Sequence, residues 1–433
     1  MYYIIKLAGI NMVKHISIIF FFIILLGGCN SRQVDESVLH TINFQDALKN
    51  ISEEHLSKYV SSIKYTPIET HPSALLGSIN QWFTANDSLM LFVSANQQKC
   101  IHVFTKDGKY IKDIGSLGNG PGEYLAVRTM TIIPEDNTLF VEGGIKSVTY
   151  SLSDGKCISS HWFDEFSNKS RDIVQKYKGR ESVAYNMSMW SIVFHNNNIY
   201  SVAGDNTTLD QYFMKVKSDF TIDTIIPMRQ TTLGVGLPRV VCGQIYLYND
   251  KINVIHGLQD TIYTWEDESL VPRILIEFGD IPSIKTRPQI KKTDSFFHPR
   301  SSHLRGKFGK MVIASGCIFT ETDKFIIGSV FLPVDIVKAY NLKQTSEFLY
   351  DKKTRQTKII QHFGEFDNSA FTNDVDGGMP FWPTKHIGNK LYQFVDAGTF
   401  IEMSEKYNSP HMKEIAATLT EDSNPVMIEA TLK

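Results

Sequence analysis

Few side chains in this sequence sit at spacings that carry chemistry. Five cysteines are present, at 29, 100, 157, 242 and 317. No pair has the C-x-x-C spacing of a zinc or dithiol site, and the thirteen histidines are scattered without metal spacing. Neither H-E-x-x-H nor G-x-S-x-G occurs. No metal ligand, cofactor or catalytic residue is therefore expected, although an enzyme that gathers its groups from distant segments stays open. Cys100, Cys157, Cys242 and Cys317 each lie in or beside a strand-like run, which reads as four separate core thiols. An oxidising compartment would permit a disulfide among them.

Three segments offer candidate binding groups. Residues 115–124 read GSLGNGPGEY. The Lys-Ser/Thr of a phosphate-binding loop is missing, so the glycines read as a tight crossing between sheets, with Glu123 and Tyr124 as ligand-facing candidates. Residues 373–383 read NDVDGGMPFWP. Asp374 and Asp376 resemble a calcium loop but lack the distal Glu, so an Asp-stabilised turn is the plainer reading. Trp382 reads as a core aromatic that could instead stack on a sugar. Residues 281–310 hold eight basic side chains and one acid, Asp294. Lys291, Lys292, Arg305 and Lys307 are its candidates for an acidic partner, against a plain solvated loop. A second insertion, 164–189, contains an expected helix at 171–178.

The elements that must hold these groups are β-strands. The chain has 433 residues, 42% hydrophobic and 12% aromatic, enough for a large core. Its formal charge of −2 excludes a general nucleic-acid binder. One pattern recurs six times: an apolar run, an Asp or Asn turn, and a second apolar run. The copies are WFTANDSLMLFVSA, MTIIPEDNTLFVEGG, SIVFHNNNIYSVAG, IYLYNDKINVIHG, CIFTETDKFIIGS and KHIGNKLYQFVDAG, with turns at Asp87, Asn137, Asn197, Asp250, Asp323 and Asn389. Second hairpins follow several copies, as at Asp107-Gly108 and Asp154-Gly155. Two hairpins per unit predict an all-β fold, a six-bladed β-propeller with few short helices in its insertions. The strand-like ends 61–69 and 424–432 lack local partners and are expected to share a blade, closing the ring. Ser409-Pro410 is expected to start a helix through Leu419.

The first residues read as a signal. Residues 16–26, ISIIFFFIILL, follow Lys6 and Lys14, and the run is too short to span a bilayer. Leu26-Gly27-Gly28-Cys29 resembles the bacterial lipobox, which implies cleavage before Cys29 and lipid on that residue. The expected organisation is a signal peptide over 1–28, a lipid-tethered linker over 29–58 with a short helix at 44–50, and a propeller over 59–433. GSLGNGPGEY, the run DTIYTWEDESLVPRILIEFG at 260–279, NDVDGGMPFWP and the terminal DSNPVMIEATLK together resemble the six-bladed β-propeller lipoproteins of Gram-negative bacteria, relatives of NHL and TolB-like propellers. The resemblance implies an envelope protein anchored through lipid, periplasm-facing and more in keeping with the outer membrane than the inner. It leaves three functions open: binding a ligand or protein partner on one face, hydrolysis or cleavage of a glycan, or a structural place in an envelope complex.

Overall fold

The computed structural model describes residues 40–77, 83–94, 99–143, 146–162, 187–205, 211–229, 244–255, 261–279, 312–313, 319–332, 334–361 and 370–433. Six sheets follow one another along the chain. Blade 1 is Phe83–Ala85, Leu89–Phe92, Ile101–Thr105 and Tyr110–Ile114. Blade 2 is Thr129–Ile133, Thr138–Glu142, Lys146–Ser151 and Cys157–Trp162. Blade 3 is Met187–His195, Asn198–Asp205, Gln211–Lys217 and Ile222–Arg229. Blade 4 is Gln244–Tyr248, Lys251–Ile255, Thr261–Glu266 and Ser269–Glu277. Blade 5 has a divided inner strand, Val312–Ile313 and Thr320–Glu321, then Phe325–Phe331, Thr345–Asp351 and Gln356–Ile360. Blade 6 is Lys385–Ile387, Lys390–Val395, Val426–Leu432 and, from the start of the chain, Val60–Pro67. The expected six-bladed propeller and its closure by the two chain ends are both observed.

Turn chemistry explains why the six copies were legible. Asn137, Asn197 and Asp250 take φ of 51°, 57° and 58° in the first hairpins of blades 2 to 4. Asn and Asp tolerate this left-handed region far better than branched residues do, and such turns match the twist of paired strands.

The apolar residues on both faces of each sheet make six interblade cores. One joins blades 1 and 2 through Leu91, Val103, Leu139 and Tyr150, and another joins blades 3 and 4 through Val202, Phe213 and Val254. The rest fill the other junctions, including blade 6 against blade 1 through Tyr392, Phe394, Phe83 and Phe92. A sheet buried on both faces reads as nearly continuous apolar residues, as LFV and FIIG do here.

The linker expectation needs correction. The propeller begins at His40, not at residue 59. His40–Asn43 adds in parallel to the outer strand of blade 4, and Ile51–Ser52 adds in parallel to the outer strand of blade 5. Between them lies the helix Phe44–Lys49, capped by Asn43. Phe44 sits between Phe278 and Phe348 at 5.4 and 5.0 Å. Ile42, Phe44, Ala47 and Leu48 are buried, so a segment that averages as polar carries a buried apolar stripe. The segment covers two sheet edges that would otherwise expose unpaired backbone. The C-terminal helix is Pro410–Ala416, with Ser409 as its N-cap as expected.

Candidate functional site

In blades 1 to 5 the first and third hairpin turns lie at one end of the strands, and in blade 6 the first turn and the end of Val426–Leu432 do. The second connection and the link to the next blade lie at the other. The glycine loop 115–124 and the Asp loop 373–378 belong to this second, connection face. The strands joined by 163–186 and by 280–311 also end there. Those two insertions lie outside the described residues, and with them the expected helix at 171–178 and Lys291, Lys292, Arg305 and Lys307.

On the connection face of blade 1, three side chains converge. His102 and Asp113 are opposed residues on neighbouring strands. His102 Nδ1 is 2.7 Å from Asp113 Oδ1, and Cys100 Sγ is 3.8 Å from the same Nδ1. The His102 side chain is 8% exposed and that of Asp113 33%. Burial, then the charge of Asp113 and a hydrogen bond to it, pushes the Cys100 thiol up to about 12, with Lys99 opposing. Burial and Asp113 likewise push the Tyr110 hydroxyl up to about 12, and His71 stacks on that ring at 4.3 Å. A protonated thiol is a poor nucleophile. In a catalytic triad the nucleophile and the carboxylate take opposite nitrogens of the imidazole, whereas here both meet Nδ1. The cluster is therefore not arranged for covalent catalysis. Its sulfur, nitrogen and oxygen lie within 4.8 Å of one another, and these are the side chains that could hold a metal.

The glycine loop beside this cluster is held by its own contacts. Gly120 N–H donates to Glu123 Oε2 at 2.8 Å, Lys146 Nζ donates to Gly120 O at 2.8 Å, and Tyr150 O–H donates to Gly122 O at 2.7 Å. Gly122 has φ of 75°, and a Cβ there would lie 2.7 Å from Cys157 Cβ, so this position demands glycine. Tyr124 is wholly buried in the core between blades 1 and 2. It is not the ligand-facing residue expected from sequence, because its ring fills an interblade junction. Glu123 turns back onto its own loop.

The Asp loop is also structural. Asp376 accepts from Tyr65 O–H at 3.1 Å, Asn373 Nδ2 at 2.8 Å, Gly378 N–H at 3.1 Å and Ser409 Oγ at 2.6 Å. Asp374 accepts from Ser57 N–H at 2.8 Å and Ser57 Oγ at 2.6 Å. The two carboxylates thus tie the turn at Ser57, the blade 6 outer strand at Tyr65 and the helix N-terminus at Ser409 to the loop, which is the turn reading rather than a calcium site. Trp382 is half-buried and stacks on Phe371 at 5.6 Å, a core position and not an open sugar platform.

The four-core-thiol expectation also fails for the cysteines described. Cys157 is exposed, since it opens the outer strand of blade 2, and Cys100 is half-buried; both are free. Cys242 and Cys317 lie outside the described residues.

At the opposite, turn face, a buried ionic group joins blades 4 and 5. Arg273 Nη1 and Lys352 Nζ donate to Glu321 Oε1 at 2.8 and 2.7 Å, and Tyr246 O–H donates to Oε2 at 2.7 Å. Lys352 also lies over the Tyr248 ring at 4.1 Å. Burial would raise the Glu321 carboxyl, but Arg273 and Lys352 outweigh it and hold the carboxyl below its ordinary range. Every charge in this group has its partner inside the protein, which marks a structural role.

Sequence reasoning missed the cluster on blade 1. The signal was present: Cys100, just before the strand Ile101–Thr105, and His102 stand two residues apart, and the Asp107-Gly108 hairpin carries the chain back to place Asp113 opposite His102.

Residues 39–431 match the family described as a domain of unknown function, DUF4934, and the chain belongs to that family. Among curated proteins no sequence matches. A Bacteroides fragilis NCTC 9343 protein whose name assigns it to export has a solved structure with TM-score 0.64 and 15% identity, covering 91% of this chain and 99% of its own. At that identity the likeness shows the fold alone. A Bacteroides caccae protein of unknown function has TM-score 0.34 and 12% identity over 64% of this chain and 84% of its own. A Bacteroides thetaiotaomicron VPI-5482 protein of unknown function has TM-score 0.39 and 8% identity over 86% and 76%. These last two scores are too low to carry an argument.

Proposed function

We propose that this DUF4934 member is an envelope lipoprotein, an NHL/TolB-like propeller that binds a ligand or protein partner on its connection face and does not turn it over. The observation that carries the reading is the division of labour between the two faces. The turn face is made of short hairpins and an ionic group whose charges are paired within the protein. Among the described strands, those joined by the long links, 163–186 and 280–311 included, end on the connection face. A ring held by six interblade cores presents such loops from a rigid base, and rigid presentation lowers the ordering cost of binding. The Leu26-Gly27-Gly28-Cys29 motif supports a lipid tether, and the name of the Bacteroides fragilis protein is in keeping with export.

The test has two arms. Cys29→Ala should abolish fatty-acid labelling and release the protein from the membrane fraction; unchanged labelling and fractionation would sink the tether. Purified protein should capture a defined envelope component without altering it. Degradation of a glycan panel would replace binding with catalysis.

A further inference from the structure

We infer that Cys100, His102 and Asp113 form a binding site for a divalent transition-metal ion of the zinc class on the connection face of blade 1. The inference does not depend on the lipid tether or on the partner reading.

The first argument is convergence. Both Asp113 Oδ1 and Cys100 Sγ approach one ring nitrogen, at 2.7 and 3.8 Å. A single proton on Nδ1 cannot serve both: it reaches the carboxylate, and the thiol turns to that same Asp113 carboxylate, so three donor atoms crowd one point. An ion among the three atoms serves all of them at once. Zinc takes nitrogen and oxygen near 2.0–2.2 Å and sulfur near 2.3 Å, so tetrahedral ligand atoms lie roughly 3.3–3.7 Å apart. The two separations from Nδ1 straddle that range and all three atoms lie within 4.8 Å of one another, so side-chain rotation can bring them around one ion.

The second argument is donor type. One thiol, one imidazole and one carboxylate make a borderline-soft set. Calcium and magnesium seek oxygen alone, whereas zinc accepts all three donors. The third is the frame. His102 is nearly buried and fixed by a paired strand, while Asp113 is one-third exposed and leaves a solvent path. Three protein ligands with an open side describe an exchangeable or reactive site more than a closed structural one.

Loading is a simple exchange. The Cys100 S–H bond breaks and an S–metal bond forms, with its proton released to solvent. His102 binds through unprotonated Nδ1, and any proton there also leaves. Water completes the coordination, and no electron is transferred.

The experiment uses untagged, reduced, purified protein titrated with zinc chloride by calorimetry and with cobalt chloride by absorption. One equivalent should bind, and cobalt should give a thiolate charge-transfer band in the near ultraviolet. Cys100→Ser should remove that band and weaken zinc binding at least ~10-fold, as loss of even a supporting group can. Asp113→Asn should weaken it without removing the band. Cys157→Ser, Cys242→Ser and Cys317→Ser together should change neither. A second readout needs no variant: zinc should protect Cys100 of the native protein from alkylation, mapped by mass spectrometry, while Cys157 stays reactive. Absence of stoichiometric binding, or a band and affinity unchanged in Cys100→Ser, would overturn the site. Zinc that leaves Cys100 alkylation unaltered would overturn it equally.

Discussion

Tyr65 lies directly opposite Ile428, more than three hundred residues later in the sequence, on adjacent antiparallel strands of blade 6. Their pairing closes the ring, because blade 6 takes its outer strand from the other end of the described chain, whereas His40–Asn43 and Ile51–Ser52 only add in parallel to blades 4 and 5, whose four antiparallel strands are consecutive. Asn424 reinforces it: its Nδ2 donates to Glu69 O and Ala74 O, each at 2.7 Å, and its Oδ1 accepts from Leu76 N–H at 2.9 Å.

Deleting residues 424–433 should therefore unfold the whole domain in one step. Val426, Met427, Ile428 and Ala430 are fully buried, and each large apolar side chain contributes about 1.5–3 kcal/mol. The loss is comparable to the ~5–15 kcal/mol by which a domain is stable. Thermal melting followed by circular dichroism is the check; a truncated protein with the parental Tm would contradict the closure argument.

Glu321→Gln should destabilise the protein by about 3–5 kcal/mol at neutral pH, because Arg273 and Lys352 would keep their buried charges without the carboxylate between them. The pH dependence has a definite sign. The folded Glu321 carboxyl lies below its ordinary 4.5, so its contribution is fully present above that value and is lost as pH falls through the folded value. Denaturant melts between about pH 3 and pH 7 should show an acid-side loss in the parent that is smaller in the variant. An equal acid loss in both would count against the assignment.

Glu347 should behave in the opposite way. Burial pushes its carboxyl up to about 7, despite a hydrogen bond from Ser329 Oγ and the nearby Lys343. The folded state then holds a proton that the unfolded chain gives up near 4.5, so stability falls as pH rises from 4.5 to about 7 and stays lower above it. Glu347→Gln carries no such charge. It should be more stable than the parent by about 1–3 kcal/mol near pH 8 and nearly equal to it near pH 4. Matched urea titrations at the two pH values decide the matter; a variant less stable at the alkaline value would refute it.

Replacing Lys291, Lys292, Arg305 and Lys307 together with Ser should weaken capture of an acidic envelope partner while leaving Tm unchanged. The loss should be greater at low salt, where attraction between exposed charges is least screened. Equal capture by parent and variant in salt-matched pull-downs would reduce the segment to a solvated link.

The amino-acid sequence by itself determined whatever depends on near neighbours. Strand pairs separated by an Asn or Asp turn could be read in all six blades, because residues such as Asn137 and Asp250 favour the left-handed turn wherever they stand. The cap at Ser409 was legible for the same reason, since its hydroxyl reaches Met412 N–H only three residues on. Ring closure was legible as two strand-like ends in want of partners. Tertiary structure alone decided the rest. Only packing shows that Ile42, Phe44 and Leu48 cover the edges of blades 4 and 5, because that burial needs partners about three hundred residues away, such as Phe348 and Ile359. Only packing separates Tyr124, sealed between two blades, from a residue that faces a ligand. Glu321, Arg273 and Lys352 come from two blades, and no local spacing announces their union. Cys100, His102 and Asp113 stand between these cases. A two-residue spacing sets the first two near each other, but the bulged register that sets Asp113 against His102 is decided only when the strands pair.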